Sequence, residues 1–432
     1  MSTTSINSGN ALTNKQYSEA LFTMAVRQPS PMNALSGPAP KVDTSDKVLR
    51  QQSTTDMPIV QVTDLESTAG DKVQIDCAQV VKLRAIMGDR NSEGMGASLK
   101  YAFQNIAIDM ATLPISVGGK MTQKRFQHNL RRNAMGQLKG SIPRFLWQRA
   151  LTQLAGARGV QDGNDWVLPL ASDPDFVEMM VNPVVAPTYN RHYVVDGATL
   201  VQGGQQIALI DNSDRMLLTH LDQIAAIIDE MPIKMMPIQI PGDPAAGDDP
   251  IKGILMVDPL VWDSILTDPT AGYNIRTFQT NALERAKYGD LAKHPLFAGQ
   301  PILWNGVLVR KMNFAVRFDC DGVGTANYIS AANKYAGTET AATIPSIAGY
   351  QVARSLFLSA QALAKCSGVN TTSMTPYSLL ENWTNFGRNL ELAGEIIGAE
   401  QKLRFGFPDS TGANELTDFG VMAIYSIVKK RF

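Results

Sequence analysis

Cysteine is scarce in this 432-residue chain: Cys77, Cys320 and Cys366 stand far apart, with no CxxC pairing. An odd, dispersed set excludes a disulfide framework and a thiolate zinc site, and it fits a reducing compartment. Histidine is nearly as rare, and His128, His192, His220 and His294 are too scattered for HExxH or His-x-His spacing. No GxSxG elbow occurs, so a hydrolase would show neither nucleophile nor metal. No apolar run approaches the roughly 18 residues that cross a bilayer. The opening MSTTSINSGNALTNKQY has no basic stretch leading into an apolar one, so export by a signal peptide is not expected. The chain reads as soluble and intracellular, with no membrane partner. Its net charge of -1 excludes polyelectrolyte behaviour, and any nucleic-acid contact must come from a local cluster.

The remaining composition is that of a globular protein, with 44% hydrophobic and 18% charged residues, and the length suits two or three domains of roughly 100–200 residues. Residues 1–58 are rich in Ser, Thr, Asn, Gln and Pro, with one apolar patch at Ala20 to Val26, and read as an extended arm that needs a neighbour to lie on. In VQIDCAQVVKLRAIM, apolar residues fall on alternate positions from Val73 to Met87, the period of a long strand. After a Gly-rich stretch the alternation resumes at Tyr101 and Phe103, then moves to Ile106, Ile108 and Met110, a phase change that predicts a bulge or strong twist. Two long strands around a polar turn make an extended hairpin.

From Thr122 to Gly156 apolar residues recur every four positions, from Phe126 through Leu138 and Ile142 to Leu154, one stripe of a long helix. Pro143, with Gly136 and Gly140, predicts a kink or short break near Lys139 to Pro143. Further on, Ser213 to Met231, Leu260 to Leu266, Thr277 to Tyr288 and Ala353 to Cys366 read as helices. PIKGILMVDP, PILWNGVLVRKM and FGVMAIYSIV read as strands, with shorter strand-like runs in NPVVAPTY and HYVVDG. Elements of both kinds without regular alternation indicate an α+β fold.

Three stretches invite chemistry. IMGDRNSEGMGASLKY carries three glycines and a lysine, yet a phosphate loop needs GxxxxGK[ST] between a strand and a helix. Here five residues separate Gly88 from Gly94, no Lys-Ser pair follows, and the next element is a strand. A polar hairpin tip with glycines for positive φ is the better reading. In GDPAAGDDP, Asp243, Asp248 and Asp249 could gather around calcium, but the spacing matches no EF-hand and a solvated turn is preferred; Asp319 and Asp321 are read likewise. Between Asp109 and Asp162 no acidic residue occurs, while Lys120, Lys124, Arg125, Arg131, Arg132, Lys139, Arg144, Arg149 and Arg158 do. This basic helix either faces phosphates, through Lys124, Arg125, Arg131, Arg132 and Lys139, or is a solvated face with ion pairs elsewhere.

The order of arm, hairpin, long helix and mixed domain resembles the major capsid proteins of tailed bacteriophages with the Hong Kong 97 fold. More narrowly, it is similar to the capsid-protein family typified by the N4-like podoviruses. The resemblance is carried by AGDKVQI, GDRNSEG, IAID, GGKMTQKRFQHNLRRNA, ILMVDPLVWDSI, PILWNGVLV, RSLFLSAQAL and NFGRNLELAGEIIGAEQKLRF…DFGVMAIYSIV. It implies an arm over 1–58, a hairpin over 59–118 with its tip at 88–98, and a peripheral domain over 119–204 with a spine helix at 122–156. An axial domain over 205–380 and a return to the peripheral domain over 381–432 complete the layout. It also implies a non-enzymatic shell protein, without catalytic residues, metal or cofactor, whose copies form hexamers and pentamers of an icosahedral capsid around double-stranded DNA. Implied partners are further copies, a portal protein at one vertex, scaffolding and decoration proteins, and the packaged DNA; assembly would occur in the host cytoplasm. Gly88, Asp89, Arg90, Glu93, Gly94 and Lys100 become candidates for contact with a neighbouring subunit. The alternatives are a nanocompartment shell enclosing cargo enzymes and a nucleotide- or nucleic-acid-processing enzyme.

Overall fold

The computed structural model describes residues 31–37, 52–63, 65, 70–78, 85–88, 91, 93–96, 98–121, 130–163, 165–240, 243, 247, 249–267, 282, 284–285, 294–297, 301–312, 314–369, 375–409 and 411–430. The readings over 1–30 and 38–51 lie outside these, as do Asp89, Arg90, Lys124, Arg125, Asp248, His128 and most of the helix read over 277–288.

Two sheets organise the chain. The first joins β1 (Ile59–Val62), β14 (Leu363–Ser367), β16 (Asn389–Lys402) and β15 (Tyr377–Thr384), and β4 (Met110–Gly119) also pairs with β16. The second runs β6 (Thr199–Gln202), β5 (His192–Asp196), β19 (Val421–Lys429), β13 (Tyr350–Leu358), β7 (Gly253–Val257), β9 (Val307–Lys311) and β8 (Ile302–Trp304), with β10 (Val316–Asp319) on β13. Three ribbons stand apart: β2 (Lys72–Ala78) with β3 (Tyr101–Ala107), β11 (Thr325–Ile329) with β12 (Glu339–Thr343), and β17 (Arg404–Pro408) with β18 (Asn414–Asp418).

Strand β7 is buried at all five positions, as its unbroken apolar run requires. Leu255 and Val257 pack under the helices Thr219–Glu230 and Pro259–Leu266, against Ile224, Ile228, Val261 and Ile265. Ile254 and Met256 point the other way, into the core that also holds the long helix Leu130–Ala155. The shorter helix starts where Asp258 accepts the Leu260 N–H at 2.7 Å with Pro259 in the first turn, the arrangement that satisfies an orphan amide and presets φ.

The long helix lies across β4 and β16. Ala134, Leu138 and Ile142 are buried along one stripe, and a Cβ on Gly394 of β16 would come within 3.0 Å of Ile142 Cδ1. Strand and helix therefore approach as closely as a glycine allows. From Phe145 to Ala155 every residue is buried, and Gln148, Arg149, Thr152 and Gln153 each make at least one hydrogen bond there. Gln148 donates to Asp165 O at 2.8 Å and accepts from the Val167 and Leu168 amides, while Gln153 donates to Asn182 O at 2.8 Å. The helix ends at Gly156, at φ +68°; a Cβ there would sit 2.3 Å from Val185 O, so only glycine turns this corner.

Several expectations are corrected. The helix runs through Pro143 without the short break, one of the two expectations there, and Gly136 and Gly140 face open space. The segment read as a helix from Ala353 to Cys366 is instead β13 and β14, joined at Gln361 with φ 57°. The expected bulge in the hairpin is absent, because β2 and β3 pair without a register shift from Lys72↔Ala107 to Ala78↔Tyr101. What looked like one long second strand is two, β3 and β4, separated at Ile108 and Asp109. The helix read from Ser213 begins at Thr219.

Candidate functional site

Strict alternation gives the β2–β3 ribbon two different faces. One carries Val73, Ile75, Cys77, Ala102 and Ile106 and packs on Val60, Val62, Cys366, Leu403 and Phe405. The other carries Lys72, Gln74 and Asp76 beside Phe103 and Asn105, all exposed. On that face Tyr101 and Phe103 leave 64% and 67% of their surface open, and Met87, Met95 and Leu99 extend the apolar surface toward the tip. Rings of this size are seldom left bare on a strand without a purpose. The apparent phase shift in the sequence is this second face: Tyr101 and Phe103 point outward, while Ile106 is buried on the inner side.

At the tip, Gly88 and Gly94 take φ +69° and +76°, which suits turning backbone. The Glu93 amide donates to Asn91 Oδ1 at 3.0 Å, and Glu93 and Lys100 are exposed. A strand follows rather than a helix, so no helix N-terminus is aimed at the loop, and the phosphate-loop alternative finds no geometry here.

Side-chain amides fasten the root of the ribbon to the body. Asn182 Nδ2 donates to Ala107 O at 2.9 Å and its Oδ1 accepts the Ala107 N–H at 3.0 Å. Gln104 does the reverse, donating to Lys402 O at 3.0 Å and accepting from the Arg404 N–H at 2.8 Å. Neither amide had any signal in the sequence, since each partner is dozens to hundreds of residues away.

The basic stretch divides. Arg149 is buried against Glu400 and also donates to Gly398 O at 2.9 Å. Arg158 lies 3.7 Å above the Trp166 ring, donates to Gln161 O and Leu168 O, and is lowered to about 10 by burial. Both are core cations, so the outward basic face is smaller than the charge pattern suggests. Arg131 pairs with Glu381 at 2.5 Å and exposed Arg144 with Asp165 at 3.4 Å; Arg132 is exposed and Lys139 half-buried.

The remaining chemical candidates dissolve into structure. Arg285 occupies the acidic loop, 2.7 Å from Asp243 and 3.4 Å from Asp249, and among the described residues no cluster could hold a metal. Asp321 accepts the Val323 and Gly324 amides, and Asp319 accepts from Gln351. Burial pushes the Cys320 and Cys366 thiols up to about 11 and about 12, so they stay protonated and unreactive. A cavity of about 390 Å³ beside Tyr189, Tyr193, Met231 and Lys334 includes Arg191. That guanidinium is already committed to Asp418 O and Ile233 O. Buried Lys402 and half-buried Arg404 share the buried Asp418 carboxylate, and Lys402 is lowered to about 8, chiefly by burial.

A family model described as phage capsid protein matches residues 3–430. Among solved structures, the capsid of Ralstonia phage GP4 is similar over 94% of this chain and 93% of its own, with a TM-score of 0.69 at 20% identity. The cyanophage Pam1 capsid asymmetric unit covers 87% and 90% at TM-score 0.55 and 13% identity. The capsid of Helicobacter pylori bacteriophage KHP30 covers 92% and 91% at TM-score 0.52 and 10% identity. No curated protein sequence matches. At these identities the likeness to solved structures is one of fold, which is the α+β arrangement of the Hong Kong 97 type.

Proposed function

The chain belongs to the phage capsid protein family, and from that premise we propose that its ribbon is the arm by which one subunit grips the next. The protein is a major capsid protein, a structural component of the virion shell built from copies of itself. Beyond this, our reading has the copies form hexamers and pentamers around double-stranded DNA, assembled in the host cytoplasm. A portal occupies one vertex, scaffolding or decoration proteins are possible companions, and the protein performs no catalysis.

The observation that carries the reading is the bare face of β2–β3, where Tyr101 and Phe103 stand open with the chain's own core on the opposite side. A two-stranded ribbon cannot stabilise itself in water, and exposed rings on one face fit burial against another copy. Glu93 and Lys100 at the tip then reach the neighbour, with Gly88 and Gly94 giving the turn its freedom. In this layout the first sheet and the long helix form the peripheral part. The second sheet, with the helices Thr219–Glu230 and Pro259–Leu266, forms the axial part, taking in β5, β6 and β19 as well as most of 205–358. Arg132 and Lys139 face packaged phosphates as sequence-independent contacts. Nothing favours a cargo-enclosing nanocompartment or an enzyme. Nuclease treatment of particles isolated from infected cells tests the reading: protected double-stranded DNA is expected, whereas particles that protect only protein would overturn it.

A further inference from the structure

Val181 holds its backbone at φ 62°, ψ −59°, a region that β-branched residues essentially avoid. The Asn182 N–H donates to Met180 O at 2.6 Å across it, so residues 180–182 form a γ-turn of the strained hand. Pro183 follows and limits Asn182 to extended backbone. This turn delivers Asn182, 5% exposed, to the end of β3, where its amide makes both hydrogen bonds with Ala107. The Asn182 carbonyl in turn accepts from Gln153 of the long helix at 2.8 Å. One strained residue thus stands where the ribbon root, the segment after the helix Asp175–Met180 and the long helix meet.

The manner of fastening matters as much as the strain. The ribbon is a separate two-stranded sheet, and amide clasps at Ala107 and Gln104 link its root to the body where a continuous ladder would otherwise run. These clasps stand beside the packing of the ribbon's inner face on Val60, Val62, Leu403 and Phe405, and the one at Ala107 is the clasp that depends on the strained residue. Strain held by surrounding structure is found where a segment switches between states.

We propose that Val181 and Asn182 are a strained latch on the root of the ribbon. Closed, the latch holds Ala107 and fixes the angle at which the ribbon leaves the body. Open, Asn182 releases Ala107 and Val181 relaxes to ordinary backbone, so the strain in the closed form favours opening. The ribbon then pivots at Ile108 and Asp109, where β3 ends and β4 begins, as the Gln104 clasp yields and its inner face shifts over Val60, Val62, Leu403 and Phe405. The importance of that pivot rests on the ribbon being the intersubunit arm, but the latch itself can be tested without assembly.

Hydrogen exchange read by mass spectrometry on the unassembled full-length chain separates the two residues, because they act with opposite sign. Asn182→Ala removes the clasp, and exchange of the Ala107 amide should rise roughly tenfold with residues 421–429 unchanged. Val181→Gly removes the strain while leaving the clasp, and exchange of the Ala107 amide should fall several-fold by the same reasoning. Equal acceleration by both variants would overturn the latch, as would a change shared by 421–429, which reports global stability. Should Asn182→Ala fail to fold, Val181→Gly decides alone: slower exchange supports the latch and faster exchange refutes it. If these results hold while substitutions at Tyr101 and Phe103 leave assembly untouched, the latch stands and the arm reading falls.

Discussion

Replacing Tyr101 and Phe103 together by threonine should leave the isolated subunit stable and yet cripple its assembly. The two rings are 64% and 67% exposed, and an aromatic side chain offers roughly 200 Å², so about 260 Å² of ring surface is open on the ribbon. At about 25 cal/mol per Å² this is worth at most ~6.5 kcal/mol when covered. Ordering and imperfect pairing at an interface consume much of that, and about 3 kcal/mol per contact is a fair expectation, or roughly a hundredfold in affinity. Threonine keeps the β propensity of the strand, so denaturant unfolding of dilute subunits should shift by no more than about 1 kcal/mol. The assay pairs that unfolding curve with the threshold concentration for assembly, followed by light scattering. An unchanged threshold would refute the reasoning. A subunit weakened by several kcal/mol would refute it differently, by showing that the rings support their own chain.

Two further outcomes follow from the interior. Arg149→Ala strands the buried Glu400 carboxylate without its partner and should cost about 3–5 kcal/mol of subunit stability, whereas Arg132→Ala on the exposed face should cost less than about 0.5 kcal/mol; equal costs in a denaturant series would return Arg149 to the surface. His192 is fully buried between Tyr328 and Tyr425, and among the described residues neither ring nitrogen finds a partner. Burial first, and then the Arg354 guanidinium, lower it from 6.5 to about 3. The unfolded chain therefore binds the extra proton between those values, and stability should fall as pH drops below about 6.5, by up to ~1.4 kcal/mol per pH unit from this residue. His192→Phe should flatten that slope in pH-dependent melting, and an identical slope would contradict the assignment.

Much of the fold was legible wherever one segment's own pattern decides its structure. The run GILMV of β7 has no polar position because both of its faces are covered, and the amphipathic stretch at Thr219–Glu230 shows the helical period because only one side is. RSLFLSAQALAKC misled for a related reason: β13 and β14 are nearly all buried, so no period-two signal survives. The turn between them sits at Gln361 in a left-handed conformation, and glutamine is no turn signal. The basic stretch misled because its resolution is remote: Glu400 and Gly398 lie about 250 residues from Arg149. At the candidate site the tip glycines could be read in advance, but the bare aromatic face could not. An alternating strand does not say which of its faces meets its own core. The amide clasps at Asn182 and Gln104 were beyond reach altogether, since they join side chains to backbone from distant segments.

Copies of this chain build a closed shell. Electron microscopy of the purified full-length protein over a range of concentration and salt tests it most directly. Closed particles of icosahedral outline, with hexameric and pentameric clusters, are expected above a threshold concentration. A protein that remains monomeric under all these conditions would contradict it.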